Sequence, residues 1–130
     1  MALKITLKPH EKMIIGGAVV ANGNNSGCDL IIENKVPLLR EKDIMGEREA
    51  DSLTRRIYFT IQLMYIDESN LASHHKAYWK LVKDLINVAP LHLGLIDQIN
   101  EYIVSSKYYQ ALKLAKELIN VEQEADHRVQ

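Results

Sequence analysis

The sequence predicts an α+β protein with a small N-terminal antiparallel β-sheet packed on a C-terminal bundle of three or four α-helices. Before residue 45, apolar residues alternate with a period of two, and Gly, Asn and Pro are frequent. After it, apolar residues recur about every 3.6 positions, and glycine is reduced to Gly46 and Gly94. We therefore divide the chain into a β domain, residues 1–45, and a helical domain, residues 46–130. We expect one shared core, because so small a sheet buries too little apolar surface alone.

The first domain is predicted to hold four or five strands. The first alternates most clearly, since Leu3, Ile5 and Leu7 occupy one face and polar residues the other. Tight turns are expected at Gly16-Gly17 and in the run from Asn22 to Gly27. Pro37 has no N–H to donate, so its strand should lie at an edge of the sheet or begin there. The predicted strands are Leu3–Lys8, Lys12–Ile15, Ala18–Ala21, Cys28–Glu33 and Val36–Lys42.

The second domain is predicted to hold amphipathic helices joined by short connections. Asp51 or Ser52 can cap the first helix, and Pro90 is placed to open the third. Leu91 is expected on the apolar side of that third helix, and the polar tail from Glu122 to Gln130 is expected to fray. The first two helices should span Leu53–Ile66 and Leu71–Val88, and the last should begin near Tyr108.

Composition excludes several classes of protein. The 130 residues include 16 Lys and Arg against 17 Asp and Glu, giving a net charge of −1, and 47% of residues are apolar. These values do not fit a disordered tail or a supercharged nucleic-acid arm. The longest apolar stretch, Met13 to Ala21, is too short to cross a bilayer. The single cysteine, Cys28, fits a reducing compartment, so we expect a cytoplasmic protein.

The sequence predicts no enzyme, no cofactor and no metal site. It contains no glycine-rich loop followed by Lys-Ser or Lys-Thr, and no Cys-x-x-Cys pair. His74 and His75 would point about 100° apart on a helix, so they cannot serve one metal together. Catalysis would need convergent ionisable groups, such as His75 with Asp84 or Glu101.

Two rows of polar residues are candidates for nucleic-acid binding. In an extended strand Arg40 and Lys42 share a face, and the first strand offers a similar row of Lys4, Thr6 and Lys8. If the two strands are neighbours, these rows merge into a basic strip suited to phosphates and exposed bases. The alternative is ordinary edge-strand charge that prevents aggregation.

The helices carry two further clusters. Arg55 lies on one helical side with Tyr58 and Phe59, which could stack on bases or could be core aromatics under the Arg stem. Packing is the favoured role for these two aromatic rings, whereas the role of Arg55 and its neighbour stays open. The RNA-binding candidates of this segment are Arg55 and Arg56, and the partner-binding candidates are Trp79, Tyr108 and Tyr109, with internal packing as the alternative.

Four segments of the chain form a recognisable combination: Leu3–Pro9, Leu39-Arg40-Glu41-Lys42-Asp43-Ile44-Met45, Arg56–Phe59 and Tyr108–Leu112. In these segments, and over nearly its whole length, the chain resembles the flagellum biosynthesis repressor FlbT family. The resemblance implies regulation rather than catalysis: action after transcription through the 5′ untranslated region of flagellin mRNA, usually as repression. It also implies a small partner, the flagellin-synthesis regulator FlaF.

A second similarity covers about 40 residues and follows Glu11–Gly16, Asn34–Pro37 and the pair Arg40-Glu41. In this region the chain is similar to the carbon storage regulators, a family that binds GGA-bearing RNA loops with its first and last strands. The similarity implies RNA contacts by Arg40 and, on the first strand, by Lys4 and Thr6.

Two hypotheses follow. In the first, the sheet binds flagellin mRNA and the helices brace it and hold a FlaF-like regulator. In the second, the helical half is an adaptor or secretion chaperone for FlaF or flagellin, and the effect on mRNA is indirect. The sequence leaves homo-oligomer formation open.

Overall fold

The computed structural model describes residues 2–129, and side-chain surroundings for residues 2–124. Contacts divide the chain into two compact units, Met1–Ile44 and Met45–Gln130. The α+β prediction is confirmed, since antiparallel sheets precede the helices. The strands are β1 Leu3–Leu7, β2 Lys12–Ile15, β3 Ala18–Ala21, β4 Cys28–Ile32 and β5 Leu38–Arg40; the α-helices are α1 Leu53–Ile66, α2 Leu71–Val88, α3 Leu93–Val104 and α4 Tyr108–Val129.

The strands of the first unit form two small antiparallel sheets. In one, β1 pairs with β4, with Leu7 opposite Cys28. In the other, β2 lies between β3 and β5. The alternation in β1 is confirmed from Lys4 onward, because Ile5 and Leu7 are buried while Lys4 and Thr6 are exposed; Leu3, at the start of the strand, is 51% exposed. Met13 joins the two buried β1 residues in a core, and the partly buried side chains packed against it are Ile15, Leu30, Ile32 and Leu38.

The β2–β3 hairpin depends on its two glycines. Gly16 and Gly17 have φ angles of 56° and 87°. Positive φ at both central residues is what a two-residue type I′ turn requires, and this turn matches the twist of the paired strands. Gly16 also lies against a neighbouring segment, because a Cβ built on it would be 2.8 Å from Cγ2 of Val36.

The predicted last strand is too long, and the condition under which the two polar rows would merge is not met. Strand β5 ends at Arg40, and Lys42 lies in a 3-10 turn over Glu41–Asp43. Since β1 pairs with β4 whereas β5 pairs with β2, the two polar rows lie on different sheets. In this turn Ile44 N–H donates to the Glu41 carbonyl at 3.1 Å, so Lys42 is no longer part of the extended strand. The edge position expected from Pro37 is confirmed, because β5 is the outer strand of its sheet.

The helices of the second unit begin and end close to the predicted positions. Ser52 caps α1, and its hydroxyl accepts from Arg55 N–H at 3.2 Å. Helix α1 packs against α2 and α4, and α3 packs against α4. The core side chains that these helices contribute include Ile57, Ile61, Met64, Tyr78, Val82, Leu85, Ile96, Ile99, Ala115 and Leu118.

Two helical expectations are wrong. Leu91 is 97% exposed, because Pro90–His92 is a 3-10 turn that precedes α3 and does not share its apolar face. The tail does not fray at Glu122, since α4 continues to Val129. Gln130 lies outside the described residues. Within the described part of the chain, no helix has the length and apolar character needed to cross a membrane.

Replacing Gly16 with alanine should destabilise the protein by about 1–3 kcal/mol, because the new methyl group meets Val36 and the residue keeps a positive φ. Urea unfolding followed by circular dichroism measures the change. Gly23→Ala is the matched control: its Cβ would have nothing within 4 Å, so its effect should stay below about 0.5 kcal/mol. Equal effects of the two substitutions would contradict this account of the hairpin.

Candidate nucleic-acid interface

A cleft of about 410 Å³ opens in the first unit where the β1–β2 turn faces the end of β5. It brings together Lys8, Arg40 and Lys42, three of the cations proposed from the sequence. The remaining lining residues are Pro9, His10, Glu11 and Glu41. The cations therefore lie together because the ends of two strands are close, and they do not share one strand face.

Arg40 links the two sheets of this unit. Its partner across the ladder is Met13, so its side chain leaves the sheet on the side of the core. The guanidinium donates from Nη2 to the backbone carbonyl of Thr6 at 3.0 Å. It also lies 3.5 Å from Oε2 of Glu11, with 41% of the side chain exposed. A guanidinium has five N–H donors, so these contacts leave Arg40 with capacity for a phosphate.

Glu11 is held in place from two sides. Its Oε1 accepts from Lys8 N–H at 2.8 Å, and its Oε2 faces Arg40. The hydrogen bond from Lys8 N–H, followed by the charge of Arg40, lowers the pKa of the Glu11 carboxyl below 4.5. Glu11 is therefore an anion at neutral pH, and it occupies part of the guanidinium that a ligand would use.

The cleft carries a small excess of positive charge. Lys8, Arg40 and Lys42 contribute three positive charges, and Glu11 and Glu41 contribute two negative ones, leaving +1 with histidine neutral. Glu41 is itself engaged, because its Oε1 accepts from Lys12 N–H at 3.2 Å. Among the described residues, no carboxylate forms an ion pair with Lys42. Lys42 is thus a cation that a phosphate could engage without displacing an ion-pair partner.

The polar residues within β1, Lys4 and Thr6, lie outside the cleft. Lys4 forms an ion pair with Asp29 at 3.4 Å, and the Thr6 hydroxyl donates to the same carboxylate at 2.7 Å. These two contacts, Thr6 first, lower the pKa of Asp29. The row expected along β1 is therefore divided, since only Lys8 at its end joins Arg40 and Lys42.

The arginines of α1 are engaged within their own unit. Arg55 Nη1 lies 2.8 Å from Asp51 Oδ1, and this hydrogen bond raises the pKa of the guanidinium. Arg56 Nε donates to the Ala50 carbonyl at 3.4 Å. Tyr58 is 3% exposed, and Phe59 is half-buried. The described contacts thus place both rings mainly in packing.

The aromatic partner-binding candidates differ in exposure. Tyr108 is half-buried, and its hydroxyl hydrogen-bonds to His75 Nε2 at 2.9 Å, which ties α4 to α2. Tyr109 is 38% exposed, with Tyr65 5.6 Å away between ring centroids. Trp79 is 41% exposed and packs edge-on against Tyr78. Trp79 and Tyr109 therefore keep surface that a partner could contact.

The adjacent histidines of α2 have separate partners. His74 Nε2 lies 3.0 Å from Oδ2 of Asp67, while His75 turns to Tyr108. Within the described residues, no group of His, Cys, Asp and Glu side chains is arranged to hold a metal ion.

Asn22 organises the rim of the cleft, and the sequence did not single it out. Asn22 is only 5% exposed. Its side-chain amide donates to the carbonyls of Leu7, Lys8 and Ser26 at 3.2, 3.1 and 2.9 Å. Its Oδ1 accepts from Asn24 N–H at 3.0 Å. The end of β1 and the loop after β3 are therefore tied to one buried amide. A turn-rich run beginning with Asn was the available signal.

Comparison with known proteins decides the family. The family model described as flagellar protein FlbT matches residues 3–125. The chain belongs to this family. Among relatives, it is 38% identical over 95% of its length to the probable flagellum biosynthesis repressor protein FlbT 1 of Bradyrhizobium diazoefficiens, of which 84% is covered. No solved structure matches the chain.

Two Caulobacter relatives extend the comparison. The chain is 39% identical over 94% of its length to the probable flagellum biosynthesis repressor protein FlbT of Caulobacter sp., of which 94% is covered. It is 36% identical over 95% of its length to the flagellum biosynthesis repressor protein FlbT of Caulobacter vibrioides, of which 89% is covered. The expected FlbT membership is thus confirmed over nearly the whole chain.

For this FlbT family member, Asn22→Ala should reduce the free energy of unfolding by about 2–3 kcal/mol, because buried carbonyls lose their donor. Asn22→Asp should reduce the free energy of unfolding by at least as much, because it places a carboxylate opposite the same carbonyl oxygens. Thermal and urea unfolding give the values. Asn34→Ala, at an exposed bend of the same unit, is the control. A loss below about 0.5 kcal/mol at Asn22 would show that the amide is dispensable.

Proposed function

We propose that this protein is a regulator of flagellin synthesis that binds the 5′ untranslated region of flagellin mRNA and represses translation or destabilises the message. Membership of the FlbT family and the repressor names of its relatives support the regulatory role. The observation that supports RNA contact is the meeting of Lys8, Arg40 and Lys42 around one cleft. The proposal assigns the protein no enzymatic activity and places it in the cytoplasm.

The charge of the chain limits how such binding would work. A net charge of −1 provides no broad attraction for nucleic acid, so affinity must come from the local cations. Each phosphate engaged on a single strand contributes a slope of about −0.7 in the dependence of affinity on salt. Two or three contacts give a moderate salt dependence. A protein bound near the start of a message would alter ribosome access or message lifetime.

The double variant Arg40→Ala, Lys42→Ala should weaken binding of a flagellin leader RNA about tenfold or more at low salt. It should also flatten the salt slope by about 1.4, from two lost phosphate contacts. Fluorescence anisotropy across a salt series measures both quantities. Lys42→Ala alone is the sharper test of charge, because Arg40 also holds Thr6 and Glu11.

The control for this test is Lys35→Ala, which removes an exposed cation of the same unit from outside the cleft. It should leave the affinity within about twofold and the slope unchanged. Wild-type affinity in the double variant would remove the cleft as the RNA site. An equal loss in Lys35→Ala would indicate diffuse attraction instead.

Glu11→Gln should strengthen binding of the same RNA about two- to fivefold. The change removes the negative charge that pairs with Arg40, while the amide oxygen can still accept from Lys8 N–H. The comparison variant is Glu33→Gln, at an exposed position outside the cleft, which should bind like wild type. Weaker binding by Glu11→Gln would mean that the ion pair organises Arg40 for RNA and does not compete with it.

A second candidate function is that of an adaptor or secretion chaperone for a FlaF-like regulator or flagellin. Exposed apolar side chains on the helical unit support it: Trp79 is 41%, Val88 72% and Leu91 97% exposed. Exposed tryptophan is frequent among the residues that dominate protein–protein contacts, and a second copy of the chain is a further candidate partner. Co-elution of the purified protein with FlaF or flagellin, without any shift of leader RNA, would favour this function.

A further inference from the structure

We infer that His10 is a base-stacking residue of the cleft, so that the ligand is a single-stranded RNA nucleotide with an unstacked base on the imidazole and its phosphates on Lys8, Arg40 and Lys42. This inference rests on the proposed function and specifies what the same cleft recognises. Three observations carry it: the backbone of His10, the contact that fixes its ring and its place among the cations.

His10 has an unusual backbone conformation for a residue with a side chain. Its φ is 61°, in the left-handed region, and it follows Pro9 in the turn between β1 and β2. Glycine adopts this region at the least cost, whereas a Cβ crowds the following carbonyl. A non-glycine residue in this region beside a ligand-sized cleft is an observation from which a functional role can be inferred. Histidine enters the left-handed region more often than most residues with a side chain, so the backbone supports the inference together with the ring contact and the neighbouring cations.

The ring of His10 is held from the side of the neighbouring loop. Its Nε2 lies 3.0 Å from Oδ1 of Asn25. An amide oxygen can only accept, so Nε2 carries the proton and donates. Asn25 belongs to the loop that the buried Asn22 amide fixes to the Lys8 carbonyl. An exposed ring fixed in this way loses little side-chain freedom when a base stacks on it.

The surroundings of His10 suit one nucleotide unit. His10 lines the same cleft as Lys8, Arg40 and Lys42. The volume of about 410 Å³ is within the range of small-ligand sites. Aromatic stacking combined with cations along the backbone is the general mode of single-strand binding, and histidine is among the rings that RNA-binding proteins use.

The variants exploit the strained backbone. His10→Gly removes the ring and relieves the left-handed φ, so it should be folded, with an unfolding temperature close to that of wild type. His10→Phe keeps an aromatic ring and loses the bond to Asn25. Asn25→Ala leaves the imidazole in place and removes its support. The full-length chain is used throughout.

The first measurement compares two probes at equal salt: a 12-nucleotide oligoadenylate and an abasic ribose-phosphate oligomer of the same length. Wild type should favour the oligoadenylate about tenfold, as expected for stacking of a base on one aromatic ring. His10→Gly should reduce this ratio to about one while the salt slope is unchanged. His10→Phe should restore most of the ratio, and Asn25→Ala should be intermediate.

The second measurement places 2-aminopurine at successive positions of the leader RNA. One position should be quenched by wild type and by His10→Phe, and not by His10→Gly. Adenosine monophosphate should compete far more weakly than the oligomer; equal competition would overturn the assignment of the cleft to an RNA strand.

The outcomes separate the two proposals. If wild type binds RNA with cation-dependent affinity but does not distinguish the abasic oligomer, or if His10→Gly keeps the discrimination, the stacking role is wrong and the proposed function stands. If neither the leader RNA nor the oligomers bind even at low salt, the proposed function itself fails.

Discussion

The buried amide of Asn22 is the contact on which the geometry of the cleft depends. Its N–H groups donate to the carbonyls of Leu7, Lys8 and Ser26, which lie at the end of β1, in the turn after it and in the loop before β4. The unit is small, and few apolar side chains hold its sheets together. A satisfied buried amide therefore fixes a turn that hydrophobic packing alone would leave loosely defined, because any other position of the turn would leave polar groups unpaired.

Charge pairing explains why one small region of a nearly neutral chain is suited to an anion. Lys4 is compensated by Asp29, and Arg55 by Asp51. Arg40 is shared between Thr6 and Glu11, whereas Lys42 stands on a 3-10 turn beyond the last strand. The positive potential is consequently local. Such an arrangement favours selective contact with a few phosphates over indiscriminate binding along a polyanion.

Much of the secondary structure could be predicted, and the reasons are local. Helix α1 runs over Leu53–Ile66 and α2 over Leu71–Val88, as the apolar periodicity predicts, and at α1 the Ser52 cap agrees with it. The hairpin turn at Gly16 and Gly17 could be predicted for the same reason, because such a turn requires residues that adopt positive φ. Lys42 was misplaced because alternation looks the same whether a strand continues or ends in a turn. Leu91 was misplaced because helical spacing does not reveal where a 3-10 turn gives way to a helix.

The sequence by itself determined the element types, the edge position of the strand after Pro37 and, through resemblance, the FlbT family. Tertiary structure alone decided which cations meet, because β1 and β5 pair in different sheets and their ends approach through the reach of Arg40 to Thr6. It also decided the hydrogen-bond partners of Asn22 and His10. Their importance comes from partners 4 to 15 positions away in the chain, and such nonlocal hydrogen bonds leave no periodic pattern to read.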